Sequence, residues 1–169
     1  EFINDVWNNE SEKVNQQADA IANAVINRLT SNTETTSLSL ETVNKGVSQL
    51  LTSHDRAKGG FATAPKFPMP NAYNFLLKYG HLSNNPEVSE HVELTLDKMA
   101  FGGIYDQIGG GFARYSVDKY WKAPHFEKML YDNGQLVSLY SEAYLKYQNP
   151  LYKEVVFETL EFIERELMA

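Results

Sequence analysis

The chain has 169 residues and no cysteine, and its 15 basic and 22 acidic residues give a net charge of −7. The missing cysteines exclude disulfides, thiolate metal ligands and thiol catalysis within this sequence. The acidic balance, with no cluster of basic residues along the sequence, argues against nucleic acid and anionic membranes as partners, and no apolar run reaches the ~20 residues of a transmembrane helix.

Helical periodicity dominates the first third of the chain. Apolar positions between 10 and 29 follow one helical face and predict a long amphipathic helix. The polar run 31–37 lacks this period and predicts an exposed linker. A second helix is expected to begin after Ser39, a residue suited to the N-cap position, and to end near Ser53.

A loop rich in proline and glycine follows at 54–71. Proline removes backbone donors and glycine permits positive φ angles, so neither a helix nor a central strand is expected here. Asn71, at the end of this loop, is expected to cap a short helix over 72–79.

The later helices are predicted from the residues that open them. Asn85-Pro86 has the order of an N-cap followed by a first helical residue, and Asn149-Pro150 repeats it. Pro124 likewise predicts the start of a helix that runs to about Gln148. The sequence therefore predicts six helices.

The segment 101–133 is rich in glycine and aromatic residues, and we expect the rest of the chain to be organised around it. A connection of this length is usually functional or disordered. Its aromatic residues favour an ordered loop, because they supply large buried areas. Residues 104–108 and 111–115 suit a small hairpin within it.

Long, elaborate connections alternate with short or polar ones along the chain. This alternation predicts antiparallel helical hairpins stacked side by side, with both elaborate loops at the same end. The predicted fold class is all-α.

Asp106 and Arg114 flank the central run of glycines. A tight turn between them would bring the two side chains together as an ion pair that stabilises the loop. In the alternative, the Arg114 guanidinium faces a cleft and holds carboxylate or paired hydroxyl groups. The sequence leaves both interpretations open.

His125 is the main candidate for proton transfer, because an imidazole titrates near neutral pH. Its position after Pro124 predicts a place in the first turn of the fifth helix. On a helix, Glu127 would point in a different direction, so a metal shared by the two is not expected. Asp132 would lie two turns away on nearly the same edge. A structural histidine at a helix start is the alternative.

Tyr115, Tyr120 and Trp121 have the composition of a carbohydrate platform, with flat apolar faces and polar edges. The same residues also suit a loop that covers the core. Lys66 lies between two prolines, which hold it on an extended segment. Its ammonium group is expected either in a cleft or in solvent.

Two motifs, GGFATAPKFPMPN and GGIYDQIGGGFARYSVDKYWKAPHFEKMLYDNGQL, resemble a family of large spermatogenesis-associated proteins with many bacterial relatives. Members join an N-terminal thioredoxin-like domain to a C-terminal helical toroid. The resemblance implies that this chain is the first half of an (α/α)6 toroid, six-hairpin glycosidase-like and similar to N-acylglucosamine 2-epimerases. Because the chain starts at Glu1 without an initiating Met, we expect a segment of a longer protein.

The resemblance implies a carbohydrate-active or carbohydrate-binding segment. We expect no cofactor and no metal. By analogy with epimerases of similar fold, His125 would transfer a proton, with Glu127, Asp106 or Asp132 beside it. The residues that would bind the sugar are Phe61, Lys66, Phe67, Tyr105, Arg114, Tyr115 and Trp121.

A second hypothesis is a non-catalytic helical scaffold that presents its loops to a partner or to the rest of its own chain. In that case the motif residues would pair with one another and leave no open cleft. Half of a toroid would also leave apolar helix faces uncovered, so we expect a dimer or larger oligomer through that surface. The cellular compartment of the parent protein stays open.

Overall fold

The computed structural model describes residues 2–29 and 39–168. Within these ranges the structure is all-α, as predicted, with six helices and no strand. None of the described helices is long and apolar enough to cross a bilayer. The helices are α1 (Phe2–Leu29), α2 (Leu40–Thr52), α3 (Pro70–Leu82), α4 (Pro86–Ala100), α5 (Leu130–Tyr147) and α6 (Pro150–Glu166).

The chain divides into two compact units, one containing α1 and the other beginning with α2. In the first unit, α1 includes the helix predicted over 10–29 and extends it back to Phe2. Glu10 departs from helical geometry, with φ −133° and ψ 26°, so a kink divides α1 at this residue. The predicted linker at 31–37 lies outside the described residues.

The second unit has one hydrophobic core, to which its helices and its long loops contribute. In this unit α3 packs on α4, α5 packs on α6, and α3 also contacts α5. Leu76, Leu96, Tyr140 and Tyr152 are fully buried in this core. The hydroxyl of Tyr140 donates to the carbonyl of Leu96 at 2.8 Å, which satisfies a polar atom inside the core.

Two asparagine caps are confirmed. The side chain of Asn85 accepts a hydrogen bond from the amide of Val88 at 3.2 Å. That of Asn149 accepts one from the amide of Leu151 at 3.1 Å. Each satisfies an amide that the first helical turn leaves free.

The predicted cap at Asn71 is wrong. Helix α3 begins one residue earlier, at Pro70, behind Met69 in the left-handed region at φ 48°. Proline suits the first helical position because its missing amide would have had no partner there. The ring of Pro70 therefore sets the start of α3.

The predicted start of the fifth helix at Pro124 is also wrong, because α5 begins at Leu130. The backbone before α5 is paired across the preceding loop: the amide of His125 donates to the carbonyl of Tyr115 at 2.8 Å. The residue that precedes α5, Met129, is extended at φ −96° and ψ 135°. Hydrogen bonds across the loop have replaced the helical turn that the apolar spacing predicted.

The first long loop (53–69) and the second long loop (101–129) lie against each other. Lys66 and Ser116 form an isolated antiparallel bridge with two backbone hydrogen bonds, of 2.7 and 2.9 Å. The prediction that both loops lie at the same end of the helices is therefore confirmed.

The small hairpin predicted inside the second loop is present as one isolated antiparallel bridge between Tyr105 and Phe112. The amide of Ala113 donates to the carbonyl of Ile104 at 2.8 Å. Gly110 and Gly111 turn the chain with φ angles of 72° and 81°, a region that glycine enters without steric cost.

Candidate functional site

Five predicted site residues come together where the two loops meet, and we call them the loop-end cluster: Phe67, Arg114, Tyr115, His125 and Glu127. The ring of Tyr115 contacts the ring of Phe67, at a centroid distance of 4.9 Å. It also stacks on the imidazole of His125 at 4.6 Å and an interplanar angle of 18°. Each member of the cluster is exposed or half-buried, so the cluster is accessible from solvent.

Backbone hydrogen bonds between extended segments hold the cluster together. The amide of Arg114 donates to the carbonyl of Glu127 at 2.8 Å, and the amide of His125 donates to the carbonyl of Tyr115 at 2.8 Å. The bridge between the two loops places Phe67 beside this pair of segments. The side chains are therefore presented by a paired backbone instead of by a helix.

The carboxylate of Glu127 lies near both the imidazole of His125 and the guanidinium of Arg114. One of its oxygens lies 3.6 Å from Nδ1 of His125 and 3.9 Å from the guanidinium of Arg114. The first distance is too long for a hydrogen bond, and Nδ1 has no hydrogen-bond partner among the described residues. A shift of less than 1 Å would allow Glu127 to fix the imidazole tautomer and leave Nε2 for a ligand.

Asp106 does not pair with Arg114, so that predicted ion pair is wrong. Its carboxylate lies 2.7 Å from the ammonium of Lys128 and accepts hydrogen bonds from the amides of Ile108 and Gly109. The Gly109 amide, then the Lys128 ammonium, lower the pKa of Asp106 to about 2. Asp106 is thus engaged in closing the glycine turn.

Asp132 lies in the first turn of α5 and is half-buried. Burial raises the pKa of its carboxyl group, and the positive charge of Arg114 acts in the opposite direction. The charge of Arg114 therefore acts on the carboxyl group of Asp132. It shows no hydrogen bond or ion pair between Asp132 and His125 in the described part of the chain.

Three of the predicted sugar-binding aromatics are packed inside the second unit. Tyr105 is 4% exposed and donates its hydroxyl to Glu158 at 2.5 Å, and burial raises its pKa. Trp121 is fully buried. Phe61 packs against the core, with its ring 5.9 Å from that of Tyr73. The structure does not bring these three to the loop-end cluster.

Lys66 is fully buried, which neither sequence interpretation expected. Its ammonium lies 3.0 Å from the carboxylate of Asp55, donates to the carbonyl of Gly59 at 2.8 Å, and lies 5.2 Å from the centre of the Trp121 ring. A buried ammonium needs such partners to offset its desolvation. Lys66 therefore joins the first loop to the second and does not face a cleft.

A pair of histidines that the sequence did not single out lies between the first loop and α4. The imidazoles of His54 and His91 stack at 3.5 Å and 13°, and Nε2 of His91 lies 3.1 Å from the hydroxyl of Tyr73. Burial, then the adjacent His54, lower the pKa of His91 to about 4. The two histidines are 37 positions apart in the sequence, so no local spacing signals this pair.

Among the described residues, no group of three or more histidine, aspartate or glutamate side chains is arranged to hold a metal ion. The chemistry that the loop-end cluster offers is aromatic stacking, hydrogen bonding by a guanidinium and a carboxylate, and proton transfer by an imidazole.

Several proteins are similar to most of this chain. Human spermatogenesis-associated protein 20 is 42% identical over 128 residues, which cover 73% of this chain and 16% of the human protein. The mouse protein of the same name is 43% identical over 123 residues, or 70% of this chain and 16% of the mouse protein. An uncharacterised protein of Caenorhabditis elegans is 47% identical over 94 residues, covering 53% of this chain and 13% of its own length. No protein-family model matches the chain.

Proposed function

Because the chain belongs to the spermatogenesis-associated protein family, we propose that its loop-end cluster is part of a carbohydrate site in which His125 transfers a proton. The chain spans 16% of the length of the human and mouse relatives. In the toroid that the family resemblance implies, the rest of the parent protein supplies the other walls of the site.

The observation that carries this proposal is the stack of Phe67, Tyr115 and His125 beside two charged groups. The side chain of Phe67 is 40% exposed beside Tyr115 and gives a sugar ring a flat apolar surface. The guanidinium of Arg114 and the carboxylate of Glu127, at the same place, suit the hydroxyl groups at the edge of that sugar.

The proposed chemistry depends on the two nitrogens of His125. Once a shift of less than 1 Å has closed the 3.6 Å gap, the carboxylate of Glu127 accepts a hydrogen bond from Nδ1–H, which leaves the lone pair of Nε2 for the ligand. A positioned imidazole of this kind contributes general acid–base catalysis at a carbon next to a carbonyl group.

The binding step is tested with the chain itself, by following amide chemical shifts as N-acetylglucosamine or cellobiose is added. We expect shifts at 67, 114–116 and 125–127, and their loss in a Tyr115→Ala variant. Phe157→Ala is the matched control, because Phe157 is an exposed aromatic residue on α6, outside the cluster. Sugar-induced shifts that survive Tyr115→Ala, or that also vanish in Phe157→Ala, would contradict the proposal.

The second candidate function is a non-catalytic scaffold that contacts the rest of its parent chain. Two apolar side chains of the second loop favour it: Ile108 is 100% exposed and Phe126 is 89% exposed. Side chains of this kind are more stable when another surface covers them. A Phe126→Asp variant that weakens association of this segment with the remainder of the parent, while His125→Asn changes nothing, would favour the scaffold.

A further inference from the structure

The loops and the end of α4 form a depression, which is basic although the chain as a whole is acidic. We call it the lysine pocket, and its volume is about 410 Å³. The sequence shows no basic cluster here because the lysines come from three separate segments. The residues that line the pocket are Lys58, Lys98, Phe101, Gly102, Gly103, Tyr120 and Lys122.

Within the described part of the chain, none of Lys58, Lys98 and Lys122 forms an ion pair with a carboxylate. Asp118 lies in the same loop, but its carboxylate accepts hydrogen bonds from backbone amides at 120, 122 and 123. Three ammonium groups on one concave surface attract an anion.

Two aromatic rings in the pocket are open to solvent. The side chain of Phe101 is 74% exposed and that of Tyr120 is 46% exposed. The ammonium groups of Lys58 and Lys119 lie 5.6 and 5.4 Å from the centre of the Tyr120 ring. Exposed aromatic faces beside cations are the arrangement on which planar heterocycles stack while their phosphates are neutralised.

The pocket is held in shape by contacts beneath it. The indole of Trp121 donates to the carbonyl of Lys58 at 2.9 Å, and the amide of Ile104 donates to the carbonyl of Trp121 at 3.1 Å. At Gly103 the backbones approach so closely that an added Cβ would lie 2.2 Å from the carbonyl oxygen of Lys122. The lysines are thus carried on a preorganised backbone, which lowers the cost of binding.

We propose that the lysine pocket binds a nucleotide, meaning a small ligand that carries phosphate groups and a planar ring. The volume falls within the ~300–1,000 Å³ of small-molecule sites. Lys58, Lys98 and Lys122 bind the phosphates as point charges, and Phe101 or Tyr120 stacks on the ring. A neutral sugar would leave three ammonium groups without a counter-charge, so this ligand differs in kind from the one proposed for the loop-end cluster.

The test is a titration of the chain with ADP at low salt, followed by amide chemical shifts and calorimetry, with pyrophosphate and adenosine as separate probes. We expect ADP to shift residues 58, 98–103 and 119–122, and to bind more tightly than either probe. A double Lys58→Gln/Lys122→Gln variant should weaken ADP binding at least about tenfold, as expected for two lost charge-assisted contacts. Its fold is retained, since Trp121 donates to the backbone carbonyl of Lys58, which Lys58→Gln keeps.

Two further variants separate a nucleotide site from a general attraction for anions. Lys153→Gln is the matched control, because the Lys153 ammonium also lies over an exposed ring, 5.9 Å from Phe157, but outside the pocket; its ADP affinity should not change. Phe101→Ala should weaken ADP and leave pyrophosphate unaffected. The proposal would be overturned if no amide chemical shift changed up to about 5 mM ADP. It would also be overturned if Lys153→Gln lost as much ADP affinity as the double variant, or if ADP and pyrophosphate bound equally tightly.

Discussion

Acidification should destabilise the second unit through His91. This imidazole is 5% exposed, and burial, then the adjacent His54, lower its pKa from the ordinary 6.5 to about 4. The positive charges of Arg56 and Lys66 act in the same direction, whereas the negative charge of Asp55 opposes them. In the unfolded chain, the histidine binds a proton at the ordinary pKa.

The sign and size of the effect follow from this difference. Between pH 6.5 and 4 the unfolded state binds a proton that the folded state does not. The contribution of His91 to the free energy of unfolding is therefore fully present above pH 6.5 and is lost as the pH falls towards 4. A tenfold change in proton affinity is worth about 1.4 kcal/mol, so His91 accounts for a loss of about 3 kcal/mol at most.

The assay is urea unfolding at several pH values between 7 and 4. In a His91→Gln variant, the side chain at this position does not titrate. Between pH 7 and 4 the free energy of unfolding should therefore fall less in the variant than in the unmodified chain, by a difference of up to about 3 kcal/mol. His81→Gln serves as the control, because His81 is an exposed histidine at the end of α3. Equal losses in the unmodified chain and in His91→Gln would show that His91 is not the group that titrates.

Three other predictions concern stability and assembly. Lys66→Met should lower the free energy of unfolding, measured in urea, by about 3–5 kcal/mol, because it leaves Asp55 without its buried partner. A loss under about 1 kcal/mol would contradict the importance of this buried pair. Asn133→Leu should lower the free energy of unfolding by at least about 2 kcal/mol, because the buried Asn133 side chain forms hydrogen bonds with both the amide and the carbonyl of Phe112. An unchanged free energy of unfolding would contradict this role. Sedimentation should show dimers through apolar helix faces such as that of Leu145, which is 74% exposed; a monomer at high concentration would exclude this assembly.

Features determined by neighbouring residues could be predicted from the sequence. The caps at Asn85 and Asn149 depend on an asparagine followed by a proline, and both are present as expected. The position of both loops at one end follows from the alternation of helices, and the Lys66–Ser116 bridge confirms it.

Features that depend on distant residues could not be predicted in this way. The start of α5 is set by hydrogen bonds across the second loop, so the periodicity after Pro124 was misleading. The burial of Lys66 depends on Asp55 and Trp121, neither of which is a sequence neighbour. The lysine pocket likewise exists only once the two loops and α4 are folded together.

The loop-end cluster was predicted in part. Arg114, Tyr115, His125 and Glu127 lie within one short motif, so their proximity in space follows from proximity in sequence. Phe67 joins them through the pairing of the two loops. Asp106 was assigned to the same group, but the glycine turn and Lys128 hold it elsewhere, because its carboxylate caps two amides of that turn.

We propose that His125 transfers a proton to or from a sugar. The most direct measurement is turnover of N-acetylglucosamine and cellobiose by the full-length parent protein, compared between the natural sequence and His125→Asn. We predict that the variant loses turnover while its stability changes by less than about 1 kcal/mol, as for a partly exposed residue outside the core. Unchanged turnover, or a large loss of stability with unchanged sugar binding, would contradict the claim and assign His125 a structural role.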